Sequence, residues 1–466
     1  MSHESARPPE SVGGPDGIPF LGSFLDLRRD SFGFRERVAD EYGGLARYTV
    51  LGTDVFLVTD PALVEQVLVH DNQRYVKGDL FQQSLGPVLG NGLLNSEGEF
   101  WRRQRHLIQP AFTPDRIAEY AGMMTESTAD ATAGWRDGEV RDVHGEMMAL
   151  TLDIVATALM GVDIRDRTPA VGAVLDTVME ASVGSLVDLL PAWVPTPERQ
   201  AVDEAVATLD RIVDEIIAEK RADPGEDVVS ALLRAEDESG EGMSDEQIRD
   251  EVKTLLLAGH ETTALALTFT LHLLARHPEV ERELLGELDD VLGGDRPTLA
   301  DVGELSYLEK VVTESMRVLP PVHGILREPT EDVTLGGVRI PAGSTLSISQ
   351  WVVHRDGDIY DDPESFRPER WTDEMEADLP RLGYFPFSAG PRRCIGDRFA
   401  MLEAKLVLAT MLQEYRLELV EPADLDLLAS ITSRPKNPVR MRIHERADGE
   451  AATHGDRADG NVPAEE

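Results

Sequence analysis

Phe387-Ser388-Ala389-Gly390-Pro391-Arg392-Arg393-Cys394-Ile395-Gly396 contains the single cysteine of a 466-residue chain. Gly390, Pro391 and Gly396 bracket that cysteine, so the backbone turns tightly around it. The apolar pattern just beyond it, to about Tyr415, predicts a helix whose N-terminal N–H groups and dipole lie beside the sulfur. Arg392 and Arg393 precede it. Turn amides, a helix N-terminus and neighbouring cations each favour a thiolate, the form that ligates a metal. A lone cysteine is otherwise a small buried hydrophobe in most proteins, so the rest of the chain must decide between the two readings.

Composition bounds the choice. Apolar residues make up 41% of the chain, enough for a large core. One cysteine excludes an intramolecular disulfide and argues against a cysteine-based zinc site. It fits a reducing, cytoplasmic setting. The Met1–Gly17 stretch is polar and rich in Pro and Gly, unlike a signal peptide or an anchor. The apolar stretch Ala264–Leu274 contains Thr268, Thr270 and His272 and falls short of the roughly 18 apolar residues of a span, so no transmembrane anchor is expected. Residues 1–16 and 446–466 have few large apolar groups; they are expected to be a flexible N-terminal segment and a disordered acidic tail around one domain, 17–445. The formal charge of −41 excludes nucleic acid and anionic membranes as partners. Lysines occur only at positions 77, 220, 253, 310, 405 and 436, and the remaining basic residues are arginines. This balance resembles proteins of salt-loving archaea; at 1 M salt the screening length is about 3 Å, short enough to suppress self-repulsion.

Periodicity is mostly helical. Ser244 with Gln247 forms a capping box that opens a long helix running to Leu274, with Pro278 beyond it. About 33 residues at 1.5 Å each make a rod of about 50 Å. Its middle is apolar nearly all round, so it crosses the core. A second helix spans about Leu305 to Leu319 and stops at Pro320-Pro321. Gly43–Thr59 reads as a strand pair, and Val333–Ile348 as short strands around Gly336-Gly337 and Pro341-Ala342-Gly343. The fold class is mostly α, an α-rich α+β arrangement with small sheets rather than a βαβ alternation.

The Cys394 loop resembles the haem-binding loop of the cytochrome P450 family, Phe-x-x-Gly-x-Arg-x-Cys-x-Gly, with Phe387, Gly390, Arg392, Cys394 and Gly396 in the fixed positions. Further motifs follow the family's order. Trp101 and Arg105 match Trp-x-x-x-Arg. Ala258-Gly259-His260-Glu261-Thr262-Thr263 matches the oxygen-binding helix. Glu314-Ser315-Met316-Arg317 matches Glu-x-x-Arg. Phe366-Arg367-Pro368-Glu369-Arg370-Trp371 resembles the Pro-Glu-Arg-Phe segment, with Trp371 in place of Phe. The resemblance covers residues 15 to 443 and implies the cytochrome P450 fold with a long central helix.

It also implies roles. Cys394 is the thiolate ligand of the iron of haem b, in a pocket that includes Ala258, Phe387 and Gly396. Trp101, Arg105 and Arg392 bind the propionates, with Arg327 a further candidate. Glu314, Arg317 and Arg370 form a buried structural network; read alone, Glu314 and Arg317 at i, i+3 would be an ordinary surface pair. Glu261 gathers a proton and Thr262 orients it toward bound oxygen, with Gly259 easing the approach of O₂. His260 packs or bonds water. The implied reaction inserts one oxygen atom of O₂ into an apolar substrate, a fatty acid, an isoprenoid or a similar molecule. Phe81, Leu85, Leu89, Leu93 and Leu94, in a Gly-broken loop, and Val322, Ile325 and Leu326 fall where the family contacts substrate, and serve equally well as plain core.

No Gly-x-Gly-x-x-Gly or flavin module follows the Cys loop; Gly90-Asn91-Gly92-Leu93-Leu94-Asn95 falls short of one. Electrons are therefore expected from a separate ferredoxin-type protein, docking on Arg102, Arg103, Arg393, Arg398 and Lys405 of a cytoplasmic monomer. Two other readings stay open: a haem-thiolate peroxygenase or isomerase, which needs no redox partner, and a haem-based sensor. The Glu261-Thr262 pair argues for O₂ use against both.

Overall fold

The computed structural model describes residues 6–181, 194–236, 240, 242–420 and 425–446. The helices that frame the site are α1 (Asp79–Leu89), α2 (Gly98–Ile108), α3 (Val143–Val155), α4 (Pro197–Ala222), α5 (Asp245–Arg276), α6 (Ser306–Val318) and α7 (Asp397–Glu414). Helix α5 begins as its sequence dictates. Ser244 Oγ accepts the Gln247 N–H and Gln247 Oε1 accepts the Ser244 N–H, a complete capping box. It runs for 32 residues through the main core, buried among α3, α6 and α7.

Val143–Met160, made of α3 and the turn that continues it, is long and apolar enough by composition to cross a membrane. In this fold most of that stretch is buried, and α3 packs along α5. Gly259 of α5 explains the closeness. A Cβ there would lie 3.1 Å from Val155 Cγ2. The glycine expected to make room for O₂ instead makes room for a neighbouring helix.

Short strands build one five-stranded sheet: β1 (Leu45–Val50), β2 (Thr53–Val58), β3 (Tyr75–Val76), β4 (Ile325–Pro329) and β5 (Thr345–Ile348), in the order β1-β2-β5-β4-β3. The register pairs Val76 with Glu328, so the antiparallel course brings Lys77 beside Arg327. A hairpin of β6 (Leu427–Ala429) and β7 (Ser433–Pro435) reaches α5 from the other end of the chain.

Both expected ends are shorter. Arg7 N–H bonds Gly337 O at 2.9 Å and Arg7 O accepts the Arg339 N–H at 2.8 Å. Arg47 N–H bonds Gly13 O at 2.9 Å. Residues 7–16 are thus held by backbone pairing, which needs none of the large apolar side chains whose scarcity suggested flexibility. Arg446 is anchored by Asp289 and by Leu412 O. The rest of the expected acidic tail, and residues 1–5, lie outside the described residues. Residues 79–89, expected to be part of a Gly-broken loop, are helix α1, which ends at Gly90 with φ 55°.

Candidate functional site

The Cys loop is a strained, well-tied turn. Cys394 N–H bonds Phe387 O at 2.9 Å, and Ser388 and Gly390 have φ of 61° and 66°. A Cβ at Gly390 would lie 2.1 Å from Leu68 O, so only glycine passes there. Phe387 is half-buried against the main core, and α7 starts immediately after Gly396. The Cys394 side chain is exposed, although protein surrounds it closely enough that burial pushes its thiol pKa up. The Gly396 N–H, Arg105 and Arg393 act the other way, and Asp397 adds to the rise. The donors read from the sequence are in place, and metal binding displaces the remaining thiol proton.

Glu314, Arg317 and Arg370 are brought together as expected. Arg317 Nε donates to Glu314 Oε2 at 2.8 Å and Arg370 Nε to Glu314 Oε1 at 2.8 Å, all three side chains being buried. Arg317 also holds His354 O and Pro363 O, each at 2.7 Å. His354 Nε2 in turn accepts the Phe385 N–H at 3.0 Å. Two residues further on is Phe387, so the network braces the Cys loop. Trp371, where the sequence departs from the family pattern, adds a donor: its Nε1 lies 2.8 Å from Glu314 Oε2. A phenylalanine has no N–H to give there.

Around Trp101 the structure gathers cations. The Arg392 guanidinium lies 4.0 Å from the Trp101 ring centroid and that of Arg105 5.9 Å. Arg392 donates to Ser96 O at 2.8 Å and pairs with Glu97. Arg105 donates to Arg393 O at 3.0 Å. Arg327 joins them; burial, opposed by Glu97 and reinforced by Arg392, pulls its pKa down to about 10. Lys77, which sequence reasoning missed, is buried in the same cluster. Burial, Arg392 and Arg327 hold its pKa well below the usual lysine value against the pull of Glu97. Its local sequence carries no signal of this, since Arg327 reaches it only through the pairing of Val76 with Glu328. Arg392, Lys77 and Arg327 share one carboxylate, Glu97, while Arg105 faces Asp397. Such a donor set fits the two propionates of a haem, and Cys394 could supply a soft ligand for its iron.

Helix α5 has one open face. From Asp250 to Leu274 every residue is buried except Ala258, Gly259 and Thr262. Their i, i+1, i+4 spacing puts them on one face. Thr262 Oγ1 donates to Ala258 O at 3.1 Å. Glu261 does not join it. Its Oε1 accepts from Thr432 Oγ1 at 2.8 Å and lies 3.4 Å from Arg434 Nε. Burial raises the Glu261 pKa, with Arg434 and Thr432 opposing. The acid and the alcohol, adjacent in sequence, point about 100° apart around the helix. His260 is buried, with Nδ1 on Leu256 O at 2.6 Å.

Of the apolar residues expected near substrate, Leu85, Leu89 and Leu93 are buried in the core, whereas Phe81 and Leu94 pack at its edge. Val322, Ile325 and Leu326 are half-buried. Among the expected docking cations, Arg102, Arg393 and Arg398 are exposed. Lys405 is not available: its side chain is 11% exposed and its Nζ lies 3.2 Å from Glu309.

The cytochrome P450 family model matches residues 12–439, and the chain belongs to that family. It is an oxidoreductase of the monooxygenase type, with haem iron as the family's cofactor. It is 40% identical over 410 residues to cyclooctatin synthase of Streptomyces melanosporofaciens, covering 86% of this chain and 89% of that one. It is 33% identical over 442 residues to pentalenene oxygenase of Streptomyces avermitilis, covering 94% and 98%. Among solved structures, retinoic acid bound cyanobacterial CYP120A1 superposes with a TM-score of 0.84 at 26% identity, covering 95% of this chain and all of that one.

Proposed function

We propose that this enzyme inserts one oxygen atom of O₂ into an apolar, ring-containing isoprenoid, using haem b ligated by Cys394 and electrons from a separate ferredoxin-type protein. The observation that carries the O₂ reading is the open face formed by Ala258 and Thr262, which interrupts a long helix otherwise buried through its middle. The isoprenoid reading rests on relatives whose names are built on cyclooctatin, cyclooctat-9-en-7-ol and pentalenene. The half-buried Val322, Ile325 and Leu326 are apolar, as contact with an isoprenoid requires.

When bound, haem supplies O₂ activation at a thiolate-ligated iron. The chain's own residues do the rest. Cys394 would ligate its iron, Arg105, Arg327, Arg392 and Lys77 would face the propionates as cations, and Trp101 would offer them its indole N–H. Thr262 Oγ1 exchanges its bond to Ala258 O for one to a proton carrier on the open face. Glu261, held by Thr432 and Arg434, would gather protons on that side of the helix and does not contact Thr262 directly. The strongly acidic chain with one cysteine supports a cytoplasmic monomer suited to a saline interior. Exposed Arg102, Arg393 and Arg398 support a small basic dock for the electron donor.

Titration of the haem-loaded protein with pentalenene and, separately, with palmitic acid tests the substrate class by the spin-state shift. Pentalenene is expected to shift the spectrum at lower concentration. ¹⁸O from labelled O₂ is expected in the product when ferredoxin and reductant are supplied. Preference for palmitic acid, or equal turnover with peroxide and no reductant, contradicts the proposal.

A further inference from the structure

The N-terminal half of α5 carries two adjacent carboxylates that the oxygen chemistry does not use. Asp250 Oδ2 accepts the Asn91 N–H at 2.8 Å, and Glu251 Oε2 accepts the Leu93 N–H at 2.9 Å. The loop is pressed against them. A Cβ on Gly90 would lie 2.2 Å from the Asp250 carboxylate oxygens, and one on Gly92 2.2 Å from Thr254 Oγ1. Both ends of the loop are tied back: Asn95 Nδ2 donates to Gly90 O at 3.0 Å, and Gln82 Nε2 to Asn95 O at 2.7 Å.

The two acids are held differently. Asp250 has a cation, Lys253 Nζ at 3.2 Å, which also reaches Asp210 of α4 at 3.0 Å. Glu251 is fully buried, and its Oε1 has no hydrogen-bond partner. Burial first, and then Asp250, push its pKa up to about 8 against the pull of the Leu93 N–H. A half-satisfied buried acid is costly, so its place calls for a use.

Its position supplies one. Glu251, Leu255, Ala258 and Thr262 recur at i, i+4, i+7 and i+11, a single face of α5. Glu251 is two turns, about 10.5 Å, from Ala258. Whatever Glu251 binds therefore lies over the same side of the helix as the open Ala258–Thr262 face, and Leu94 follows directly in the chain.

We infer that Asp250 and Glu251 are positioning residues, a carboxylate latch that fixes the Gly90–Leu94 loop as a roof over the substrate side of the Ala258–Thr262 face. This rests on the proposed reading of that face as the oxygen side of an apolar pocket. Specificity then depends on how firmly the roof is held, because a loosened loop admits water and bulkier molecules and binds the proper substrate less tightly.

Hydrogen–deuterium exchange of the Asn91 and Leu93 amides in the full-length, haem-loaded protein reads the latch directly. Glu251→Leu removes the acceptor, and Leu93 exchange is expected to speed up about tenfold, the loss of one hydrogen bond of about 1.4 kcal/mol. Glu251→Gln keeps a carbonyl acceptor and is expected to leave the exchange as it is. In Glu251→Leu the apparent dissociation constant for pentalenene, read by the spin-state shift, is expected to rise several-fold, with the reduced carbon monoxide spectrum unchanged. Should Glu251→Leu fail to load haem, Gly92→Ala, which wedges the loop off Thr254, is expected to give the same exchange and binding changes. Unchanged Leu93 exchange in Glu251→Leu, or in Gly92→Ala where that stands in for it, overturns the latch. Faster exchange with unaltered pentalenene binding overturns the roof. If wild type binds no isoprenoid while the exchange pattern holds, the substrate reading fails and the latch stands.

Discussion

Trp371 Nε1 donates to Glu314 Oε2 at 2.8 Å inside a network whose carboxylate is fully buried. Glu314 thereby accepts from Arg317, Arg370, Trp371 and the Arg367 N–H. Trp371→Phe leaves a buried charged oxygen short of one donor, and should cost about 1–3 kcal/mol. Glu314→Gln strips the two arginines of their anion and should cost about 3–5 kcal/mol. Thermal unfolding of the haem-loaded proteins checks the order: wild type above Trp371→Phe above Glu314→Gln. A Glu314→Gln protein as stable as wild type would show that the network is ornamental to stability.

His354 links that network to the Cys loop and must stay neutral to accept the Phe385 N–H. Burial, Arg317 and Arg355 lower its pKa to about 3. The sign follows from linkage. Below about pH 6.5 the unfolded imidazole takes up a proton and the folded one does not, so stability falls as the pH drops from about 6.5 toward 3. His354→Gln keeps an acceptor that does not titrate. Its melting temperature should start below that of wild type at pH 7.5 and close on it by about 2 °C at pH 5, since 1.5 pH units are worth about 2 kcal/mol. A gap that stays constant with pH would mean that His354 titrates in the fold as it does in the unfolded chain.

Gly259→Ala places a methyl 3.1 Å from Val155 Cγ2. Overpacking typically costs about 1–3 kcal/mol, against a gain in helix propensity of about 1 kcal/mol. The single variant should be less stable than wild type, and adding Val155→Ala should recover part of the loss. The same melting curves decide it. No recovery in the double variant would return Gly259 to a role at the open face.

Much of this could be read from residues alone. Ser244 and Gln247 announce α5 because capping is local chemistry, and Glu314-x-x-Arg317 announces a pair because helix spacing is local geometry. The Phe387–Gly396 turn is legible for the same reason. What escaped depends on contacts distant in sequence. Lys77 joins Arg327 through a sheet register that closes across about 250 residues, and Glu261 turns to Thr432 and Arg434 on a hairpin near the other end of the chain. Residues 7–16 looked unpacked because backbone pairing with Gly337 and Arg339 leaves no trace in side-chain type.

Electron delivery gives a prediction at the surface. Arg102 pairs with Glu99 and Arg103 reaches Gly242 O, yet Arg102 remains exposed beside the loop that Arg105 ties to Arg393. Reversing both Arg102 and Arg103 to Glu should slow reduction by a ferredoxin several-fold at low salt, with the difference shrinking as salt is raised. Stopped-flow reduction measures it. An unchanged rate would place the dock elsewhere.

The central claim is that Cys394 ligates the haem iron as a thiolate. The spectrum of the reduced protein under carbon monoxide tests it most directly, with Cys394→Ser as the comparison. Wild type should show the red-shifted Soret band of a thiolate-ligated haem, and Cys394→Ser should lose that band even where haem is retained. A wild-type band at the position of imidazole-ligated haem, or an identical band in Cys394→Ser, would contradict the account.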